Sequence, residues 1–186
     1  KYHLINARNN GITKEEMAEI ITHAAFYVGW PNAWAVFDLA KEVYADDEQK
    51  GNHGGIFGMG EPNVNFAQYF IGNSYLKPLT NPNETKVFIA NVTFEPGCRN
   101  NWHIHKATEG GGQILICVEG EGWYQEEGKE PQSLKVGDVV TIPANVKHWH
   151  GAKKDKWFSH LAIEVPGENT SNEWCEKVTD EEYDKL

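Results

Sequence analysis

The chain has 186 residues, 17 Lys and Arg against 27 Asp and Glu for a formal net charge of −10, and 40% hydrophobic residues, enough for one medium core or a core with a small satellite. The acidic balance argues against nucleic acid or an anionic membrane as partner, since both need a basic face, and no apolar run approaches the roughly 20 residues that span a bilayer. Three widely spaced cysteines (Cys98, Cys117, Cys175) and a first residue that is not Met, with no signal-peptide run behind it, point to a trimmed or processed protein of the reducing cytoplasm, without a disulfide framework.

From Thr13 to Tyr44 the pattern is helical. Thr13-Lys14-Glu15-Glu16 has the form of a capping box, with Ile12 and Met17 as its hydrophobic staple. Met17, Ile20, Ile21, Ala24 and Ala25 then recur at the spacing of one helical face. Gly29 suits the end of that helix, and Pro31 the first turn of a second, which carries Trp34, Val36, Phe37, Leu39, Ala40 and Val43. Two such helices cannot bury their apolar faces alone, so at least a homodimer is expected. The helical segment is placed at 1–46 and a glycine-rich linker at 47–64, where five glycines between Gly51 and Gly60 disfavour helix.

From about Asn65 the period changes to two. Short β-branched and aromatic runs at Lys86–Glu95, Gln113–Val118, Gly122–Gln125, Asp138–Ile142 and His160–Val165 are bounded by Gly, Pro and Asn. Many short strands without intervening helices imply an antiparallel sandwich or barrel over 65–186. Thr179-Asp180-Glu181-Glu182 offers a short terminal helix start.

Four of the eight histidines lie in two pairs, His103-Ile104-His105 and His148-Trp149-His150. Residues two apart on a strand face the same way, so each pair projects together. An isolated pair is more often a polar strand face than a metal site. Here the first pair stands in a Gly97-x5-His103-x-His105 frame, with Gln113-x6-Gly120 after it, and the second in Gly137-x5-Pro143-x4-His148. These stretches resemble the two signature motifs of the cupin superfamily, a double-sheet jelly-roll barrel. The overall expectation is therefore a mainly β chain: a cupin barrel preceded by a short α-helical hairpin. The longer stretches FEPGCRNNWHIH, QILICVEGEGWYQ, GDVVTIPANVKHWHGA and SHLAIEV are similar to small cupins that include manganese-dependent hydroxynitrile lyases.

That resemblance implies one divalent transition metal (Mn, Fe, Zn or Ni, manganese first), held by His103, His105, Gln113 and His148. Glu109 is the alternative oxygen ligand; the spacing back from Gly120 favours Gln113, although the gap after His105 is longer than usual. Asn145 stands where the motif has glycine and tolerates the left-handed turn. The resemblance also implies a substrate-facing His160, with His150 beside the pocket. Trp102, Trp123 and Trp149 are expected in the barrel wall, Tyr69 and Tyr75 at its rim. The opening HLINARNNGITKEEMAEIITHAAFYVGWPNAW resembles the C-terminal half of a carboxymuconolactone decarboxylase domain, which draws attention to His3, Glu16 and His23, although Glu16 is already explained as a cap. No Cys-x-x-Cys occurs, so peroxidase chemistry is not assigned. The expected activity is proton-transfer chemistry of the lyase, decarboxylase or isomerase type on a small oxygenated acid, lactone or carbonyl compound. The rival readings are an iron-dependent dioxygenase and a non-enzymatic small-molecule-binding module.

Overall fold

The computed structural model describes residues 1–51, 53–81 and 83–186, with backbone alone for 45–51. The chain divides into two compact units, Lys1–Gly51 and Asn52–Leu186. Among the described residues, no helix is long and apolar enough to cross a membrane.

The first unit holds helices α1 (Tyr2–Asn9), α2 (Lys14–Val28) and α3 (Trp30–Gly51). The capping box forms as the sequence dictates: Thr13 Oγ1 accepts from the Glu16 amide at 3.2 Å, and the Glu16 carboxylate accepts from the Thr13 amide at 2.9 Å, an arrangement worth about 1 kcal/mol. Leu4, Met17, Ile21, Ala25, Ala33 and Val43 form the buried cluster, with Ile12 and Phe37 against it. Helix α1 is an addition to the two expected helices. Only its Leu4 is fully buried, and one buried residue leaves no periodic signal. Ile21 is buried and Phe37 and Leu39 are partly so, while Ile20 and Trp34 stay exposed. Helix α3 runs on to Gly51 rather than ending before the expected linker. Ala45-Asp-Asp-Glu-Gln-Lys50 contains no helix breaker, and the glycines begin only at 51.

The second unit contains β1 (Glu61–Pro62), β2 (Phe70–Ile71), β3 (Ser74–Pro78), β4 (Phe88–Phe94), β5 (Arg99–Asn100), β6 (His103–Lys106) and β7 (Glu109–Gly110). The 14-residue β8 (Gln113–Glu126) follows, then β9 (Gln132–Lys135), β10 (Val139–Ile142), β11 (Lys147–Ala152), β12 (Phe158–Glu164), β13 (Gly167–Glu168), β14 (Ser171–Trp174) and α4 (Asp180–Tyr183). Two antiparallel sheets share β8. Its first half pairs with β10 and β12, and β12 continues into β4, β3 and β1. Its second half pairs with β9 and β11, and the other edge of β11 pairs first with β6, which leads to β14, and further along with β5, which leads to β2. The crossing is made at Gly120. Its φ is +68°, and a Cβ there would lie 1.8 Å from the Trp157 carbonyl oxygen, so only glycine serves. The expected strands at 113–118 and 122–125 are thus one bent strand.

Phe94, Leu115, Leu134, Ile142 and Phe158 fill the barrel core. Outside it, Trp149 packs with Val178 and Tyr183 beneath α4, flanked by Trp102 and Trp123. At the expected terminal helix start, Thr179 caps α4 with a capping box, and the Tyr183 hydroxyl donates to the Ala152 carbonyl at 2.7 Å. Part of the expected linker belongs to the barrel: the Glu119 carboxylate accepts from the amides of Gly54 and Gly55 and contacts His53, while Asn91 Nδ2 donates to the carbonyls of Gly54 and Gly58.

Candidate metal centre

Strand alternation sets the site. On β6, His103 and His105 are buried and Ile104 between them is half-buried; on β11, His148 and His150 turn inward while Trp149 packs outward. The backbone register places His148 directly opposite His103. One ligand atom from each of His103, His105 and His148 comes within 4.8 Å of the others. Asn145, at φ +68°, makes the turn that the sequence leads one to expect. Its side chain also clips the backbone after His105, donating to the Ala107 carbonyl at 2.9 Å.

The imidazoles are held so that the same atom is free on each. Nδ1 of His103 donates to the Asn101 carbonyl and Nδ1 of His148 to the Val146 carbonyl, both at 2.9 Å. Nδ1 of His105 lies 3.1 Å from Glu164 Oε2. With the proton on Nδ1, each Nε2 presents a lone pair. Burial pushes the His148 pKa down to about 4 and His103 well below its ordinary value, with the neighbouring imidazoles adding to both, so lone pairs are available at neutral pH. Gln113 is buried on β8 and lines the same cavity. Among the described residues, Nε2 of His105 and His148 and Oε1 of Gln113 are buried without a hydrogen-bond partner. Orphaned buried acceptors are costly and rare. Imidazole nitrogens joined by an amide oxygen make a donor set suited to a divalent transition metal, and the residues present fit one.

The cavity beside this cluster encloses about 200 Å³. Phe66, Phe70, Phe88 and Val92 supply much of its apolar wall, and His150, His160 and Ala162 line it as well. His160 Nε2 stands 3.1 Å from His150 Nδ1. Asn100 holds His150 by accepting from its backbone amide at 3.0 Å and donating to its ring at 3.1 Å. Burial, first of all, lowers His160 to about 4 and His150 well below the ordinary range. Both rings are therefore neutral.

Other sequence-selected residues fall elsewhere. Glu109 is exposed on β7, paired with β13, whereas Gln113 is inside. His3 and His23 are exposed on their helices, so His23 is not a core histidine either, and Glu16 is the cap. Tyr75 is buried against Glu95, away from this cavity. Tyr69 stacks on Trp174 at 4.4 Å between ring centroids, and Trp174 in turn stacks on His103 at 4.8 Å. Trp174, Asn100 and Glu164 escaped the sequence reading. Glu164 had a usable signal: it shares the inward period-two face of β12 with His160 and Ala162.

Residues 90–164 match the cupin domain family, and residues 1–42 match the carboxymuconolactone decarboxylase family. The chain is 42% identical over 118 residues to an (R)-mandelonitrile lyase of Granulicella tundricola, covering 63% of this chain and 87% of that protein. It is 41% identical over 46 residues to a 4-carboxymuconolactone decarboxylase of Acinetobacter baylyi, covering 25% of this chain and 34% of that relative, about a third of its length. The crystal structure of a cupin-like protein from Thermotoga maritima superposes with a TM-score of 0.61 at 41% identity, over 70% of this chain and 95% of the other. The bent barrel, its paired histidines and these likenesses converge: the chain belongs to the cupin family and carries, ahead of the barrel, a segment of carboxymuconolactone decarboxylase type.

Proposed function

We propose that the barrel is a divalent-metal-dependent lyase that cleaves a carbon–carbon bond next to a hydroxyl group in a small substrate, with a 2-hydroxynitrile as the first compound to test. The observation that carries this reading is the convergence of His103, His105 and His148 within 4.8 Å, beside a cavity lined by Gln113, whose Oε1 is buried without a partner, and by a neutral histidine pair. The 42% identity to a protein named for mandelonitrile cleavage supports the substrate class. His103, His105, His148 and Gln113 would hold the metal, manganese being the first choice; the burial of Gln113 and the exposure of Glu109 support this choice of oxygen ligand.

A bound divalent cation supplies Lewis acidity, which lowers the pKa of a coordinated hydroxyl. His160, assisted by His150, takes the hydroxyl proton; the carbinol carbon becomes a carbonyl as its bond to the nitrile carbon breaks. The electron pair leaves with that fragment, and the histidine pair returns the proton to it. Aldehyde and hydrogen cyanide are the balanced products. The phenylalanine wall receives the apolar part of the substrate and excludes water, and the cavity of about 200 Å³ has room for a small substrate. In this scheme His160 is a proton-transfer group and not a ligand.

The test is aldehyde release from mandelonitrile by protein reconstituted with manganese, beside the His160→Ala variant. Turnover by the reconstituted protein, lost on chelation, is expected. His160→Ala should keep its metal and lose roughly 10²–10⁴-fold in turnover, the usual scale of general acid–base catalysis. Metal-dependent dioxygen consumption without aldehyde release would favour oxygenase chemistry instead. Loss of metal in His160→Ala would make that residue a ligand.

A further inference from the structure

Glu164 closes β12 and is paired in register with Gln113 on β8 on one side and with Phe88 on β4 on the other. Its two carboxylate oxygens are divided between two residues of the metal centre. Oε1 accepts from Gln113 Nε2 at 2.7 Å, and Oε2 lies 3.1 Å from His105 Nδ1.

A carboxylate only accepts hydrogen bonds, so each contact fixes the chemistry of the group it touches. The Gln113 amide has a donor end and an acceptor end of nearly the same shape. Because its NH2 is taken by Glu164, its Oε1 is the end left free, and that atom is buried without a partner among the described residues. His105 has two possible tautomers. Neither ring nitrogen of His105 makes a hydrogen bond among the described residues, but the carboxylate oxygen 3.1 Å from Nδ1 favours the proton on that nitrogen and leaves the lone pair on Nε2. His103 and His148 obtain the same tautomer from backbone carbonyls, which no side-chain substitution removes. His105 and Gln113 depend on one replaceable side chain.

Placement points the same way. Glu164 is not among the groups whose ligand atoms cluster within 4.8 Å, and its side chain remains 35% exposed. It stands where the inner cavity meets a wider outer one of about 410 Å³, together with Phe88, His105 and Asn172. It also brings a negative charge against a donor set that is otherwise three neutral imidazoles and a neutral amide.

We infer that Glu164 is a positioning residue of the metal centre, a single carboxylate that orients both the His105 ring and the Gln113 amide toward the cation; this rests on the metal-dependent reading above. Outer groups of this kind typically change metal affinity 10–100-fold.

The experiment titrates metal-free wild type, Glu164→Ala, Glu164→Gln and His105→Ala with Co(II) against a chelating indicator. It records the visible Co(II) bands and the thermal midpoint of each metal-free protein. Glu164→Ala should bind Co(II) about 10–100-fold more weakly than wild type with altered bands, while the metal-free variant still unfolds in one cooperative thermal transition. Glu164→Gln has one acceptor end and can satisfy only one of the two contacts, so its affinity should fall between those of wild type and Glu164→Ala. It also serves as the test if the alanine variant fails to fold. Wild-type affinity and bands in the folded variants would overturn the inference and leave the metal centre standing. A loss in Glu164→Gln as complete as in His105→Ala would make Glu164 a ligand and overturn the positioning role. A wild-type protein that binds no Co(II) would overturn the metal-dependent reading and the inference with it.

Discussion

Lowering the pH of the metal-free protein from 7 to 5 charges the imidazoles of an unfolded chain, whereas burial holds the folded-state pKa values of His103, His148, His150 and His160 below the ordinary value. His160 is fully buried, and desolvation lowers its pKa from 6.5 to about 4. Its contribution to stability is complete above pH 6.5 and is lost as pH falls toward 4, because the unfolded chain takes up the proton first. Between pH 7 and pH 5 that difference amounts to about 2 kcal/mol for this one residue. His148, also lowered to about 4 by burial, adds a similar loss, and His103 and His150 are shifted the same way. The carboxylates act in another window. Glu119 and Glu164 are held below their ordinary value of 4.5 by the groups bonded to them, so their contribution is present above 4.5 and falls away only below it. A loss of several kcal/mol is a large share of a typical 5–15 kcal/mol stability. Urea unfolding followed by tryptophan fluorescence at pH 7, 6 and 5, on chelator-treated protein, measures it. The His160→Gln variant should show a pH slope smaller by about one proton. Equal stability at pH 7 and pH 5, or an unchanged slope in that variant, would refute the reasoning.

Gln113→Ala should weaken metal binding more than Glu109→Ala, measured by chelator competition; the reverse order would return the oxygen ligand to the exposed loop. The helical unit exposes Phe26, Tyr27, Trp30 and Trp34, each more than half accessible, and large exposed apolar side chains grouped on one unit favour association. Sedimentation at micromolar concentration should therefore give at least a dimer, and Trp34→Glu should lower the association; a wild-type monomer would contradict this.

Much of the site was legible because strand and turn chemistry is local. His-x-His on an alternating strand puts two rings on one face whatever the rest of the barrel does, and Asn145 tolerates the left-handed turn it makes. The Thr13 capping box forms as read because it needs only four consecutive residues. What escaped depends on contacts distant in sequence. Trp174 enters the cavity because β14 pairs with β6, opposite His103, and no local pattern announces that pairing. Gly54–Gly58 looked like linker because its backbone partners, Glu119 and Asn91, lie far along the chain. Glu164 could have been read from the alternation that exposed His160, but nothing nearby in sequence shows that its carboxylate meets His105 and Gln113.

The central claim, that three imidazoles of one barrel hold a divalent metal, is tested most directly by elemental analysis of the purified chain and of His105→Ala. The account predicts one transition-metal ion per chain in the wild type and little or none in a His105→Ala protein whose barrel remains folded. Full metal content in that folded variant would contradict it.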